Sequence, residues 1–251
     1  MGKTACIILA AGKGKRMDSD LPKPLIELNG KPFIKHLLDS VEASGVCDAP
    51  VIVVGNQAEL VKQTLGSDYV YVEQTEQLGT GHAVKVCREA LEGKVDSVIV
   101  LYADHPLVDA KTITSLADLK HTENTVLGMA TITVPDFEGW RAAMYSFGRI
   151  LRDESGNVTE IVEKKDATDE QLQVREVNPA LFYFNADWLW NNLETVQNKN
   201  AQGEYYLTDL VKIACEQHHP IATVDAPIEA AFGINTKEEL ALAEAYLQQR
   251  S

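Results

Sequence analysis

The segment Leu9-Ala10-Ala11-Gly12-Lys13-Gly14-Lys15-Arg16-Met17, followed by Leu21-Pro22-Lys23-Pro24-Leu25, sets small residues and cations close together. Ala10, Ala11, Gly12 and Gly14 allow backbone N–H groups to come close to a phosphate, and Arg16 and Lys23 can neutralise its oxygens. Two better-known phosphate loops do not fit. The spacing G-x-x-x-x-G-K-[ST] is not spelled anywhere, and a dinucleotide loop needs a third glycine where Met17 stands. On glycine and lysine alone, a solvated basic loop fits as well.

A second run, Gln74-Thr75-Glu76-Gln77-Leu78-Gly79-Thr80-Gly81-His82, offers a side-chain amide with a paired donor and acceptor for a base edge. Its Gly79-Thr80-Gly81 step puts backbone and a hydroxyl at a helix start, a place suited to an anion. Alone, that step reads as a plain turn. A third run, Tyr102-Ala103-Asp104-His105-Pro106, places a carboxylate just past an apolar strand. One carboxylate suffices for Mg²⁺, which keeps waters and takes substrate phosphates as further ligands. An Asp capping the next loop is the plain alternative. Asp104 is followed two residues later by Pro106, which counts against the Asp-x-Asp metal pair common in glycosyltransferases.

The elements that must position these runs follow from periodicity. Cys6-Ile7-Ile8-Leu9 is a short, continuously apolar run, as a strand buried on both faces requires. Phe33, Ile34, Leu37, Leu38 and Val41 have helical spacing between Pro32 and Gly45. Strands over 51–54, 69–72 and 98–101 then alternate with helices over 58–65 and 83–91. This rhythm predicts right-handed βαβ units, a parallel sheet, and ligands at the carboxyl ends of its strands. After about residue 120 the rhythm changes. Runs over 125–134, 149–152, 158–162 and 177–184 read as strands of an antiparallel extension. Thr236-x-x-Glu239 has capping-box spacing before a last helix.

The 251 residues are 45% hydrophobic and carry a formal charge of −14. That acidity argues against nucleic acid or an anionic membrane as partner. It leaves room for small anions where cations gather: Lys13, Lys15, Arg16, Lys23, Lys31 and Lys35 outnumber Asp18, Asp20 and Glu27 between Gly12 and Lys35. Cys6, Cys47, Cys87 and Cys215 are scattered and read as ordinary thiols of a reducing compartment. With no leader pattern and no long apolar run, the expected location is cytoplasmic.

The ordered set L-A-A-G-x-G-x-R-M, L-P-K, E-Q-L-G-T-G-H-A, Y-x-D-x-P-L, V-E-K-K-D-A-T-D-E-Q and A-Q-G-E-Y-Y-L-T-D resembles the sugar-1-phosphate nucleotidyltransferases. Among them it is similar to the pyrophosphorylase domain of bacterial N-acetylglucosamine-1-phosphate uridyltransferase. The resemblance implies a mostly parallel, Rossmann-like three-layer α/β sheet with an antiparallel sugar-binding extension, the nucleotide-diphospho-sugar transferase fold. Residues 1–251 would form one such domain, with a nucleotide lobe to about residue 120 and a sugar lobe beyond it. The hexapeptide repeats of that family's left-handed β-helix do not occur.

The resemblance also assigns roles. Leu9, Ala10, Ala11, Gly12, Gln74, Gly79, Thr80, Tyr102 and Asp104 would line the nucleotide. Arg16 and Lys23 would be catalytic, balancing phosphate charge. Gly148, Glu163 and Asn178 would face the sugar, and Asp104 and Asn235 would ligate Mg²⁺, the implied cofactor. The implied partners are UTP or another nucleoside triphosphate, a sugar 1-phosphate and pyrophosphate, with the oligomeric state left open. The runner-up reading keeps this chemistry with another sugar, or with CTP and a phosphocholine-like acceptor.

The chain departs from the family's pattern near the implied sugar pocket. Asn178-Pro179-Ala180 stands where the family has Asn-Thr-Gly, and the segment before Gly148-Arg149 is longer, carrying Trp140, Arg141 and Tyr145 between Phe137 and Phe147. Proline removes a backbone donor and fixes φ, so the wall beside Asn178 is expected to differ.

Overall fold

The computed structural model describes residues 2–12, 14–200 and 202–249. Lys13 of the basic loop and Ala201 of the A-Q-G-E-Y-Y run lie outside them. In chain order the elements begin with strand β1 (Thr4–Leu9), a small hairpin of β2 (Glu27–Leu28) and β3 (Lys31–Pro32), and helix α1 (Phe33–Ser44). Strand β4 (Val51–Val54), helix α2 (Ala58–Leu65), strand β5 (Val70–Glu73), helices α3 (Thr80–Lys85) and α4 (Arg88–Leu91), strand β6 (Ser97–Tyr102) and helix α5 (Ala110–Asp118) complete the first half.

The second half contains β7 (Leu127–Thr133), β8 (Arg149–Arg152), β9 (Val158–Val162), β10 (Glu176–Val177) and β11 (Phe182–Asn185). Helices α6 (Ala186–Leu193) and α7 (Asp209–Glu216), strand β12 (Ile221–Asp225) and helix α8 (Lys237–Gln248) follow.

β5, β4, β1 and β6 are neighbours in that order and all parallel, with Leu9 opposite Tyr102 and Val54 opposite Glu73. β11 runs antiparallel between β6 and β7, and β10, β8 and β9 extend the same ten-stranded sheet by further antiparallel pairs. The sheet is buried on both sides because its central strands are apolar through their interiors. Cys6, Ile8, Ile52, Val54, Ile99 and Leu101 meet α1, α2 and α5 on one face. Ala5, Ile7, Val51, Val53, Val98 and Val100 meet α3, α6 and α7 on the other. This is the three-layer arrangement that the resemblance implied.

Two expected elements are divided. The helix read over 83–91 begins at Thr80 and tightens at Val86-Cys87, where Cys87 N donates to Val84 O at 3.0 Å, so that α3 and α4 are separate turns. The strand read over 177–184 is broken into β10 and β11 by Asn178-Pro179-Ala180. Proline gives no ladder donor, and Ala180 takes the left-handed conformation at φ 61°.

Candidate functional site

A cleft of about 360 Å³ opens at the carboxyl ends of β1, β5 and β6. Leu9, Ala10, Ala11, Gly12, Arg16, Lys23, Gln74, Gly79, Thr80, Tyr102, Asp104 and Asn235 all line it. Parallel pairing puts the exits of these strands on one edge, so three runs far apart in sequence meet there. The Gly-rich loop is anchored below by Met17, 2% exposed in a small core with Ile26, Leu28, Phe33, Phe232 and Ile234. Gly14 has φ 57°, and a Cβ there would come within 2.9 Å of the Lys23 Cβ. A glycine is therefore required for the loop to bring Lys23 inward. Above Gly12 a Cβ would meet nothing within 4 Å, which leaves that backbone open to a ligand.

The charged groups converge on Asn235. Lys23 Nζ donates to Asn235 Oδ1 at 2.7 Å and is ion-paired with Asp104 Oδ2, while Arg16 Nη2 donates to the same Asn235 oxygen at 3.0 Å. Burial opposes ionisation of Asp104, yet the Lys23 ammonium, with help from His105, outweighs it and holds the carboxyl below its ordinary value.

Asn235 is delivered by several constraints. Its Nδ2 donates to Gly233 O at 2.9 Å, which leaves Oδ1 facing the cations. Its backbone N–H donates to Glu239 Oε2 at 2.6 Å, and Glu239 N donates to Thr236 Oγ1 at 3.2 Å. The capping box of α8 thus also fixes the residue before it. His105 Nδ1 donates to Ala230 O at 3.1 Å, and Ile234 N donates to Asp104 O at 2.9 Å, tying the segment before Asn235 to the exit of β6. A Cβ on Gly233 would come within 2.8 Å of the His105 ring. His105 therefore braces the site.

Asp104 and Asn235 also bear on the Mg²⁺ expectation. Both side-chain oxygens bond to one ammonium, so they converge on a single positively charged position. One carboxylate and one amide oxygen are a hard donor pair suited to Mg²⁺ that retains waters. Among the described residues no cluster of three His, Cys, Asp or Glu could hold a metal alone. The residues present fit a metal completed by substrate oxygens.

Gln74 departs from its expected role. It is buried, and its Nε2 donates to Gly79 O at 3.1 Å while lying 3.1 Å from His82 Nδ1. The donor half of the amide is engaged within the protein, so the paired donor and acceptor expected for a base edge are reduced to an acceptor. The Gly79–Gly81 step also differs from expectation. Gly81 N donates to Tyr205 O at 2.8 Å, Tyr205 N to Leu78 O at 2.8 Å, and Leu207 N to Thr80 Oγ1 at 3.0 Å. Gly81 N is thereby spent on bracing the turn against the 204–207 segment, while Thr80 Oγ1 accepts there and keeps its O–H to donate. Gly79 has φ 110°, and a Cβ there would meet Tyr205 O at 2.6 Å.

A second cavity of about 460 Å³ shares Thr80, Tyr102 and Glu204 with the first. Gly148, Glu163 and Asn178, the residues implied for the sugar, all line it. Asn178 N donates to Gly148 O at 3.0 Å, and a Cβ on Gly148 would lie 2.8 Å from Ile161 and 3.5 Å from the Glu163 carboxylate. Glycine there lets the carboxylate of Glu163 stand close to the backbone. Burial, with Asp166 and Asp209 nearby, pushes the Glu163 carboxyl above its ordinary value. Asn178 Oδ1 accepts from Ala180 N at 2.8 Å, so its amide nitrogen is the half left for the cavity.

The longer segment before Gly148 has a place as well. Over Gly139–Ser146 it forms 3-10 turns, Trp140 stacks on Phe232 at 4.8 Å, and Ser146 and Phe147 reach the second cavity. Arg149 is fully buried between the rings of Phe137 and Tyr145 and donates to Tyr145 O at 3.1 Å. Glu204, at the junction of the two cavities, received no role from the sequence. The signal available was the A-Q-G-E-Y-Y-L-T-D run itself.

Residues 6–203 match the MobA-like NTP transferase domain. The bifunctional protein GlmU of Exiguobacterium sp. strain AT1b is 39% identical over 246 residues, covering 98% of this chain and 53% of that protein. GlmU of Heliobacterium modesticaldum is 40% identical over 251 residues, covering 100% of this chain and 53% of that protein. The chain spans about half the length of the curated relatives it matches. The solved structure of UDP-glucose pyrophosphorylase complexed with UDP-glucose covers 100% of both chains with a TM-score of 0.76 at 16% identity, a likeness of fold.

Proposed function

The chain belongs to the MobA-like NTP transferase domain family, and from that membership we propose that it joins a sugar 1-phosphate to UTP, giving a UDP-sugar and pyrophosphate. The observation that carries this reading is the pair of adjoining cavities. One is lined by the Gly-rich loop, Gln74 and Asp104, the other by Gly148, Glu163 and Asn178, and Thr80, Tyr102 and Glu204 form the wall between them. A nucleotide in the first would meet an acceptor in the second at that wall.

In this reading an oxygen of the sugar phosphate forms a bond to the α-phosphorus, and the bond from that phosphorus to the departing pyrophosphate breaks. The protein orients both substrates and offsets charge, with no covalent nucleophile. Arg16 and Lys23 neutralise the phosphate oxygens, held in place by Asn235. Asp104 and Asn235 would hold the Mg²⁺, which supplies further charge neutralisation on the phosphates. The resemblance of the sequence motifs makes N-acetylglucosamine 1-phosphate the first acceptor to test.

The acceptor wall favours a second reading with the same chemistry. Pro179 carries neither a backbone N–H nor a side-chain hydroxyl, so this wall offers fewer polar contacts than an Asn-Thr-Gly wall would. An acceptor other than N-acetylglucosamine 1-phosphate fits that loss. The test is pyrophosphate release across UTP, CTP, GTP, ATP and dTTP with a panel of phosphorylated acceptors. Fastest release with UTP and a sugar 1-phosphate is expected. Release with no sugar 1-phosphate in the panel would sink the proposal.

A further inference from the structure

Gln74 is 3% exposed and its amide has two N–H donors. One is taken by Gly79 O at 3.1 Å, and Nε2 also lies 3.1 Å from His82 Nδ1. A carbonyl only accepts, so the amide atom beside Gly79 must be the nitrogen. His82 Nδ1, facing that same nitrogen, must then accept, which puts the imidazole proton on Nε2. With both donors engaged, the free hydrogen-bonding atom of Gln74 is Oε1, in a residue that lines the nucleotide cleft. His82 itself lines a separate cavity of about 400 Å³ with Lys85, Glu194 and Tyr205. It is not among the residues lining the nucleotide cleft.

We propose that His82 is a positioning residue for base selection: with the Gly79 carbonyl, it locks the Gln74 amide so that this side chain offers the base an acceptor and no donor. The inference rests on the uridylyl reading above. Uracil carries N–H at ring position 3, which satisfies a lone acceptor, whereas cytosine carries an unprotonated nitrogen there and leaves two acceptors facing each other. Buried polar atoms left unpaired discriminate strongly between such partners. Gly79 alone holds one amide hydrogen. Without His82 the second is buried and unpaired, so the amide is held by one bond in place of two and presents its acceptor to the base less firmly.

The test compares native protein with His82→Leu, which removes the acceptor, and His82→Asn, whose Oδ1 is as many bonds from Cα as Nδ1 and restores one. The readout is the ratio of kcat/KM for UTP to that for CTP, with melting curves to show that each variant is folded. His82→Leu should lower the ratio about tenfold, largely through a higher KM for UTP, and His82→Asn should recover most of it. An unchanged ratio in folded His82→Leu overturns the proposal, as does an equal loss for both nucleotides. If the native protein prefers a nucleotide other than UTP, the uridylyl reading fails by itself. The role of His82 then stands if His82→Leu erodes that native preference, and falls if it does not.

Discussion

Lys23 and Asp104 form an ion pair in which only 12% of one side chain and 23% of the other are exposed. The cation that the sequence placed in a phosphate loop is thus the direct partner of the carboxylate placed at a metal. Arg16, by contrast, is exposed. Lys23→Ala should therefore lower turnover by roughly 10²-fold or more and also lower stability by about 1.5–3 kcal/mol, because Asp104 loses a charged hydrogen-bond partner. Arg16→Ala should lower turnover by a similar factor with little change in Tm. Steady-state kinetics and calorimetry on both variants check this. Near-native rates in both would refute the charge set.

Magnesium dependence should track two residues unequally. Asp104→Asn removes the anionic oxygen and should raise the magnesium concentration for half-maximal activity sharply. Asn235→Ala removes a neutral ligand and should raise it less. Titrating Mg²⁺ against each variant gives the order, and activity that ignores a chelator would end the metal assignment.

Ala180 has φ 61°, a conformation that glycine adopts without a Cβ penalty. Ala180→Gly should raise stability by about 1 kcal/mol, visible as a higher Tm. Combining it with Pro179→Thr restores the Asn-Thr-Gly sequence and should move acceptor preference toward N-acetylglucosamine 1-phosphate, with little change in the KM for UTP. Unaltered preference would show that these positions do not set specificity.

Glu163 should give acceptor binding a pH dependence. Burial, and then Asp166 and Asp209, raise its carboxyl pKa, so it takes up a proton at a higher pH than an ordinary glutamate. The ionised form accepts hydrogen bonds from sugar hydroxyls at both oxygens. The acceptor's KM should therefore be lowest above that raised pKa and should climb as pH falls through it. Glu163→Gln should have a higher KM that no longer varies over this range. A parallel rise in the variant would place the titrating group elsewhere.

Much of the site was legible because its signals are local. Leu9–Arg16 and Tyr102–Asp104 each follow a strand with no polar position in its interior, and parallel pairing does the rest. The break at Pro179 was also written in the sequence, since proline cannot serve a central ladder, and the run over 177–184 reads as continuous only if that residue is ignored. The orientation of the Gln74 amide had no such signal. It depends on which atoms of Gly79 and His82 lie within 3.1 Å, and a donor–acceptor pattern along the chain does not encode that. The bracing of Gly79–Gly81 by Tyr205 and Leu207 was hidden for the same reason, as the partners lie more than a hundred residues apart.

That last contact governs when the site comes into being. The Gly-rich loop leaves the ribosome well before its braces, for the turn carrying Gly79 is held by Tyr205 and Leu207, and both cations are steadied by Asn235. At a synthesis rate of about 5–20 residues per second, on the order of ten seconds or more separate translation of the loop from that of its last brace. A nascent chain can pair β1 with β4 during this interval and still lack a finished nucleotide cleft. The cleft described above is therefore complete only once residue 235 has been made.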